Sequence, residues 1–195
     1  MIPLHHENTA PESSKPTLAA VHQANGFIPN LFRALANSPS SLNGFATLLE
    51  ANDGGTLSPA ERQIVQIAAS IENQGEYCVA GHSTFAEQMG MPPETITAIR
   101  EGRQLADKRY QGLVDFTRAL VRNRGHVTDN DKASAEAAGF GTEQIFEIII
   151  AVALKTITNY VTSVFDVPLD VQFQEQAWTP QNGQVITHQN AGAVA

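Results

Sequence analysis

Helical periodicity, broken only by caps and turns, is what most constrains this chain. The clearest stretch opens at Ser58-Pro59-Ala60-Glu61, a capping box with proline at the first helical position. Behind it, Ile64, Ile67, Ala68 and Ile71 recur at i, i+3, i+4 and i+7, which puts them on one buried face. The same grammar repeats elsewhere. Leu18 and Val21 mark a short first helix, and Leu31, Phe32 and Leu35 follow the break at Gly26-Phe27-Ile28-Pro29-Asn30. Ser38-Pro39 restarts a helix with Leu42, Phe45, Leu48 and Leu49 on one stripe, ended by the turn residues Asn52-Asp53-Gly54-Gly55. A helix from about Glu76 stops at Gly90, and one opened by Pro92-Pro93-Glu94 is closed by Gly102. Leu113, Val114, Thr117, Leu120 and Val121 form the next stripe, with Gly125 as its stop. Thr128 and Asp131 cap a helix ending at Gly139. Thr142 is expected to cap the longest apolar helix, through Ile145, Phe146, Ile149, Val152, Ala153, Thr156, Ile157 and Tyr160 to about Phe165.

No long run alternates as a strand does, so the expectation is an all-α, single-domain helical bundle of about seven to nine helices. The boundaries predicted are a polar N-terminal arm over 1–15, a folded domain over 16–178 anchored at its end by Trp178, and a mobile polar tail over 179–195 that includes His188.

Charge and cysteine content narrow the function. Twelve Lys plus Arg against twenty Asp plus Glu leave a net charge of −8, with no basic cluster, so no nucleic-acid partner is expected. The most apolar run, Ile148 to Leu154, is far shorter than the roughly 20 residues that span a bilayer, and reads as a buried helix. Met1 to Lys15 has no apolar core like a signal peptide's, so the expected compartment is the cytoplasm, with no membrane partner. The single cysteine, Cys78, excludes an internal disulfide and a Cys-rich zinc site. His5 and His6 are two ligands short of a structural zinc site, and no metal or cofactor is expected. His22 is placed on the exposed side of the first helix, and His126 at a helix end.

One constellation carries chemistry. In Gly75-Glu76-Tyr77-Cys78-Val79-Ala80-Gly81-His82, Cys78 and His82 stand at i and i+4 on one helix face. Cys78 would lie in the first turn, where unpaired N–H groups and the helix dipole favour a thiolate and a nearby imidazole can take its proton. The plain alternative is a small buried cysteine beside a histidine with a local hydrogen bond.

The surroundings of that pair resemble the alkylhydroperoxidase D-like, carboxymuconolactone decarboxylase superfamily. The likeness lies in Ser58-Pro59-Ala60-Glu61-Arg62-Gln63, Glu72-Asn73 and Tyr77-Cys78-Val79-Ala80-Gly81-His82. Phe27-Ile28-Pro29-Asn30-Leu31-Phe32 with Ala36-Asn37-Ser38-Pro39 is similar to the upstream segment of its peroxidase-related branch. Ala153-Leu154-Lys155-Thr156, Asn159-Tyr160 and Val167-Pro168-Leu169-Asp170 are similar to the downstream one. The resemblance runs roughly from Ala10 to Trp178 and implies the family's bundle and a homo-oligomer, trimer or hexamer.

Redox-active members of that family carry Cys-x-x-Cys-x-x-x-His, with a glutamate twelve residues before the first cysteine. Here the first cysteine position is Gly75 and the glutamate position is Gln63; Ser163 stands where a further histidine is often found. Without a thiol at Gly75, a sulfenic acid on Cys78 cannot be resolved within the motif, and the Gln63 amide cannot accept a proton as a carboxylate does. Glu61 falls on another helix face, and Glu72 and Glu76 read as solvated charges.

The resemblance therefore implies an antioxidant oxidoreductase of peroxiredoxin type with one reactive cysteine. Cys78 would attack a small-molecule hydroperoxide, His82 would serve as its base or ion-pair partner, and an external thiol reductant would resolve the product. Gln63 would orient the peroxide, and Tyr77, Tyr160 and Gly75 would line its pocket. Two alternatives stay open: a lyase acting on a lactone acid, with His82 as proton shuttle and Cys78 a bystander, and a catalytically silent oligomer.

Overall fold

The structure, a computed structural model, describes residues 2–180. Of the tail predicted over 179–195, only Thr179 and Pro180 fall within that range; the rest, with His188, lies outside the described residues. Nine α-helices follow in order: α1 Lys15–Asn25, α2 Asn30–Leu35, α3 Pro39–Asp53, α4 Pro59–Glu72, α5 Glu76–Gln88, α6 Pro93–Glu101, α7 Lys108–Arg122, α8 Asp129–Ala137 and α9 Thr142–Val164. Short 3-10 turns occupy Glu12–Ser14 and Val171–Gln176, and no strand occurs among the described residues.

The caps explain most of these boundaries. Ser58 Oγ accepts from Glu61 N at 3.2 Å while Ser58 N donates to the Glu61 carboxylate at 2.8 Å, the reciprocal pair that starts α4. Thr128 and Asp131 start α8 in the same way. Gly102, at φ +71°, closes α6 in the left-handed conformation. At α9 the cap is Gly141, not Thr142: the Gly141 backbone is extended and its N–H donates to Gln144 Oε1 at 3.0 Å, which leaves Thr142 as the first helical residue.

Helix α4 is the axis of the bundle, buried almost continuously from Gln63 to Glu72 and packed against α5, α7 and α9. Two apolar clusters meet around it. One gathers Ile64, Ile67, Leu113, Phe116, Phe140 and Ile148; the other gathers Leu18, Leu35, Leu42, Cys78, Leu154 and Phe173. Trp178 packs on the first cluster, as expected of an anchor. The arm is docked rather than loose: the Arg33 guanidinium donates to the carbonyls of Leu4 and His5 at 3.1 and 3.3 Å, and Ile2 and Leu4 pack against the second cluster.

Helix α9 departs most from the sequence expectation. By length and composition it could cross a membrane, with 23 residues and a mean hydropathy of 1.5 in its most apolar window. It is instead a wall of the bundle, packed on α2, α3, α4, α5 and α7. The residues it turns inward are Ile148, Ala151, Leu154, Lys155, Thr158, Asn159 and Thr162. The expected stripe faces largely out, with Phe146, Ile149, Ile157 and Tyr160 exposed. Apolar residues all round a helix give periodicity no unique face, and here polar groups with buried partners decide which face goes in.

Glu72 also differs from expectation. It is buried, not solvated, because the Arg122 guanidinium grips its carboxylate at 2.7 and 2.8 Å and Arg118 lies 3.5 Å away. Glu61 is likewise buried, held by its capping box and by Arg109 at 2.6 Å.

Candidate active site

Gly75 is the N-cap of α5, so Cys78 sits in the first helical turn, as its spacing predicts. It faces a cavity of about 450 Å³. The walls are chiefly apolar, with Leu31, Phe32, Phe45, Phe85 and Phe173 prominent. Its polar lining comprises Gln63, Cys78, His82 and Lys155, together with Asn25, Gln66 and the Arg62–Asp53 ion pair. A larger cleft, of about 760 Å³, lies beside Gly75, Tyr77, Asp166 and Trp178 and holds neither thiol nor imidazole.

Cys78 and His82 line the same cavity but make no mutual hydrogen bond. The Cys78 thiol donates to Thr158 Oγ1 at 3.4 Å, and Thr158 in turn donates to the Lys155 carbonyl at 3.2 Å. His82 is held by two other groups. Its Nδ1 meets Gln63 Oε1 at 2.9 Å, and its Nε2 meets Lys155 Nζ. An amide oxygen can only accept, so in the neutral ring this network assigns the proton to Nδ1 and leaves a lone pair on Nε2. Burial and the adjacent Lys155 charge hold His82 well below the ordinary imidazole range, so the ring is neutral at pH 7.

Cys78 and His82 thus share one cavity, with His82 in a chain Gln63–His82–Lys155 and the Cys78 thiol on Thr158. Gln63 orients the imidazole through its amide oxygen and adds no charge beside it.

Lys155 is a residue of this cavity that the sequence did not single out. It is buried on α9, and no carboxylate lies within ion-pairing distance of it among the described residues. Burial lowers its affinity for a proton, and the neighbouring Cys78 works the other way. The one available signal was Lys155 itself, a charge inside the most apolar helix of the chain.

Tyr77 lines the cavity with its ring, but its hydroxyl is a structural tie. It donates to Asp170 and accepts from Leu31 N at 3.2 Å, and burial together with the Asp170 carboxylate keeps the phenol protonated. Asp170 also accepts from Asn30 N at 3.1 Å, which joins α2, α5 and the C-terminal segment. That tie sets Phe173 edge-on to Tyr77 and Phe85, and a Cβ at Gly81 would stand only 3.3 Å from the Phe173 ring. Tyr160 is not in this cavity. It is 63% exposed and lies on the opposite side of α9, beside Asn73 and Arg122.

The space over Gly75, where a resolving thiol would stand, is taken. A Cβ there would lie 2.6 Å from Asn159 Cγ, and Asn159 is pinned by Asn73, which donates to its Oδ1 at 3.0 Å, and by Ser70, which accepts from its Nδ2 at 3.3 Å.

Residues 39–108 match the carboxymuconolactone decarboxylase family. The solved structure of an alkylhydroperoxidase AhpD core, an uncharacterized peroxidase-related protein from Ralstonia eutropha JMP134, superposes with a TM-score of 0.81. It covers 92% of this chain and 97% of that one at 21% identity. The chain thus shares the AhpD-like fold, and its residues 39–108 match the carboxymuconolactone decarboxylase family. A peroxidase-related protein from Silicibacter sp. TM1040 shares the AhpD-like fold at a TM-score of 0.75 and 20% identity, over 88% of this chain and 91% of that one. So does the debrominase Bmp8, solved in complex with 2,3,4-tribromopyrrole, at 0.76 and 15%, over 89% and 93%. No curated protein matches the chain by sequence. At these identities the AhpD-like neighbours speak for the fold alone, and the fold is seen with more than one activity.

The packing over Gly75 yields a sharp expectation. Its φ of −85° suits any residue, so a penalty for a side chain there comes from Asn159 and not from the backbone. Gly75→Ala should cost about 1–3 kcal/mol in urea denaturation, the usual scale of overpacking. In an Asn159→Gly background the same substitution should cost much less. Equal costs in both backgrounds would contradict the contact.

Proposed function

We propose that this protein is a one-cysteine reductase of apolar organic hydroperoxides. The observation that carries this reading is Cys78 at the head of α5, facing an aromatic-walled cavity beside a buried lysine and a neutral histidine. The Cys78 thiolate attacks the outer peroxide oxygen, the S–O bond forms, and the O–O bond breaks with its electron pair leaving on the alkoxide. Lys155 gives the alkoxide a proton, and His82 holds the amine in place through Nε2. The sulfenic acid on Cys78 then condenses with an external thiol, releasing water, and a second external thiol exchanges to restore Cys78 and carry away a disulfide. The resolving partner is external because Cys78 is the chain's single cysteine and Asn159 fills the place of an internal one.

The neutral His82 and the missing second thiol also favour a second reading, a lyase acting on a lactone acid by acid–base chemistry. It leaves Cys78 as wall, so activity would survive its replacement.

Copies of the chain pack, on this proposal, through the outer face of α9. Ile149, Ile157, Tyr160 and Val164 are each more than a third exposed there, an apolar stripe suited to packing against a second copy. A trimer or hexamer in sedimentation equilibrium is expected, dissociated by Val164→Glu; a monomer at micromolar concentration would contradict it.

Turnover of cumene hydroperoxide with a dithiol donor tests the reaction. Cys78→Ser should abolish it, and Lys155→Met should lower kcat/KM by about 100-fold or more, the scale of a lost positioned proton donor. Undiminished turnover in Cys78→Ser would overturn the reductase and favour the lyase.

A further inference from the structure

We infer that Lys155 is itself a nucleophile, an amine placed to capture an apolar aldehyde or ketone as an imine inside the cavity. Three features of its placement point there. It is 3% exposed, yet it borders a cavity of about 450 Å³ large enough for a small organic molecule. Among the described residues no carboxylate lies within ion-pairing distance of it, and burying a charge without an ion-pair partner favours the neutral amine. Its hydrogen-bonded neighbour is His82 Nε2, a neutral base able to take a proton from nitrogen and return it to oxygen.

The amine is free to act when Cys78 keeps its proton, the state in which the thiol donates to Thr158. Burial biases Lys155 in that direction. The nitrogen lone pair adds to the carbonyl carbon, and the C=O π electrons move to oxygen. His82 carries the proton from nitrogen to that oxygen, giving a carbinolamine. Loss of water leaves the imine, with no oxidant or reductant consumed. Phe32, Phe45, Phe85 and Phe173 select an aromatic or alkyl carbonyl compound and keep bulk water from reversing the condensation.

The test is reductive trapping. The folded protein is incubated with benzaldehyde and sodium cyanoborohydride at pH 7, and the adduct is mapped by peptide mass spectrometry. Label should appear on Lys155 at least about tenfold faster than on Lys15, Lys108 or Lys132, since each pH unit by which an amine's pKa falls adds about tenfold to its neutral fraction. Lys155→Arg should remove that adduct, with circular dichroism confirming that the variant is folded. His82→Gln should slow it. Cys78→Ser should keep or speed it, because the amine then has no thiolate to pair with. Labelling confined to the surface lysines of the wild-type protein would overturn the inference, as would an adduct lost in folded Cys78→Ser. Peroxide turnover depends on Cys78 and this adduct does not, so the two proposals fail separately.

Discussion

An amine buried in a protein with no carboxylate to neutralise it must find its compensation elsewhere, and the site is organised around that demand. The Lys155 amine is held by His82, and among the described residues Cys78 is the group that favours its charged form. The thiol itself donates to Thr158, while Cys78 favours the protonated amine that burial disfavours.

The rest of the fold maintains this arrangement. α4 contributes Gln63, α5 contributes Cys78 and His82, and α9 contributes Lys155 and Thr158, so the site exists only where these three helices pack. Asp170 secures the mouth by tying Tyr77 and Asn30 together and bringing Phe173 over Gly81. Gln63 is the quiet departure with the largest electrostatic consequence. A carboxylate in its place would stabilise a charged imidazole; the amide adds no such charge, and burial with the neighbouring Lys155 disfavours protonation of His82.

How much of this could be read beforehand differs by element. The α4 cap, the turn of α5 carrying Cys78 and the shared face of Cys78 and His82 follow from local spacing, and local spacing is preserved in the fold. The inward face of α9 was not legible, because Phe146, Ile149 and Ile157 outscore Lys155, Thr158 and Asn159 on any hydrophobicity argument. Burying those polar groups becomes favourable only through partners distant in sequence: His82, Cys78, Ser70 and Asn73. Glu72 failed for the same reason, since Arg122 lies 50 residues away. The empty motif position at Gly75 was legible as an absence, but not Asn159 as its occupant.

The central claim is that Lys155, rather than His82, is the charge partner of Cys78. The rate of Cys78 alkylation by iodoacetamide, followed across neutral pH, tests it most directly. The account predicts markedly slower alkylation in Lys155→Met than in the wild-type protein, with His82→Gln affected less. Equal rates in wild type and Lys155→Met, with His82→Gln alone impaired, would contradict it and return the partnership to the histidine.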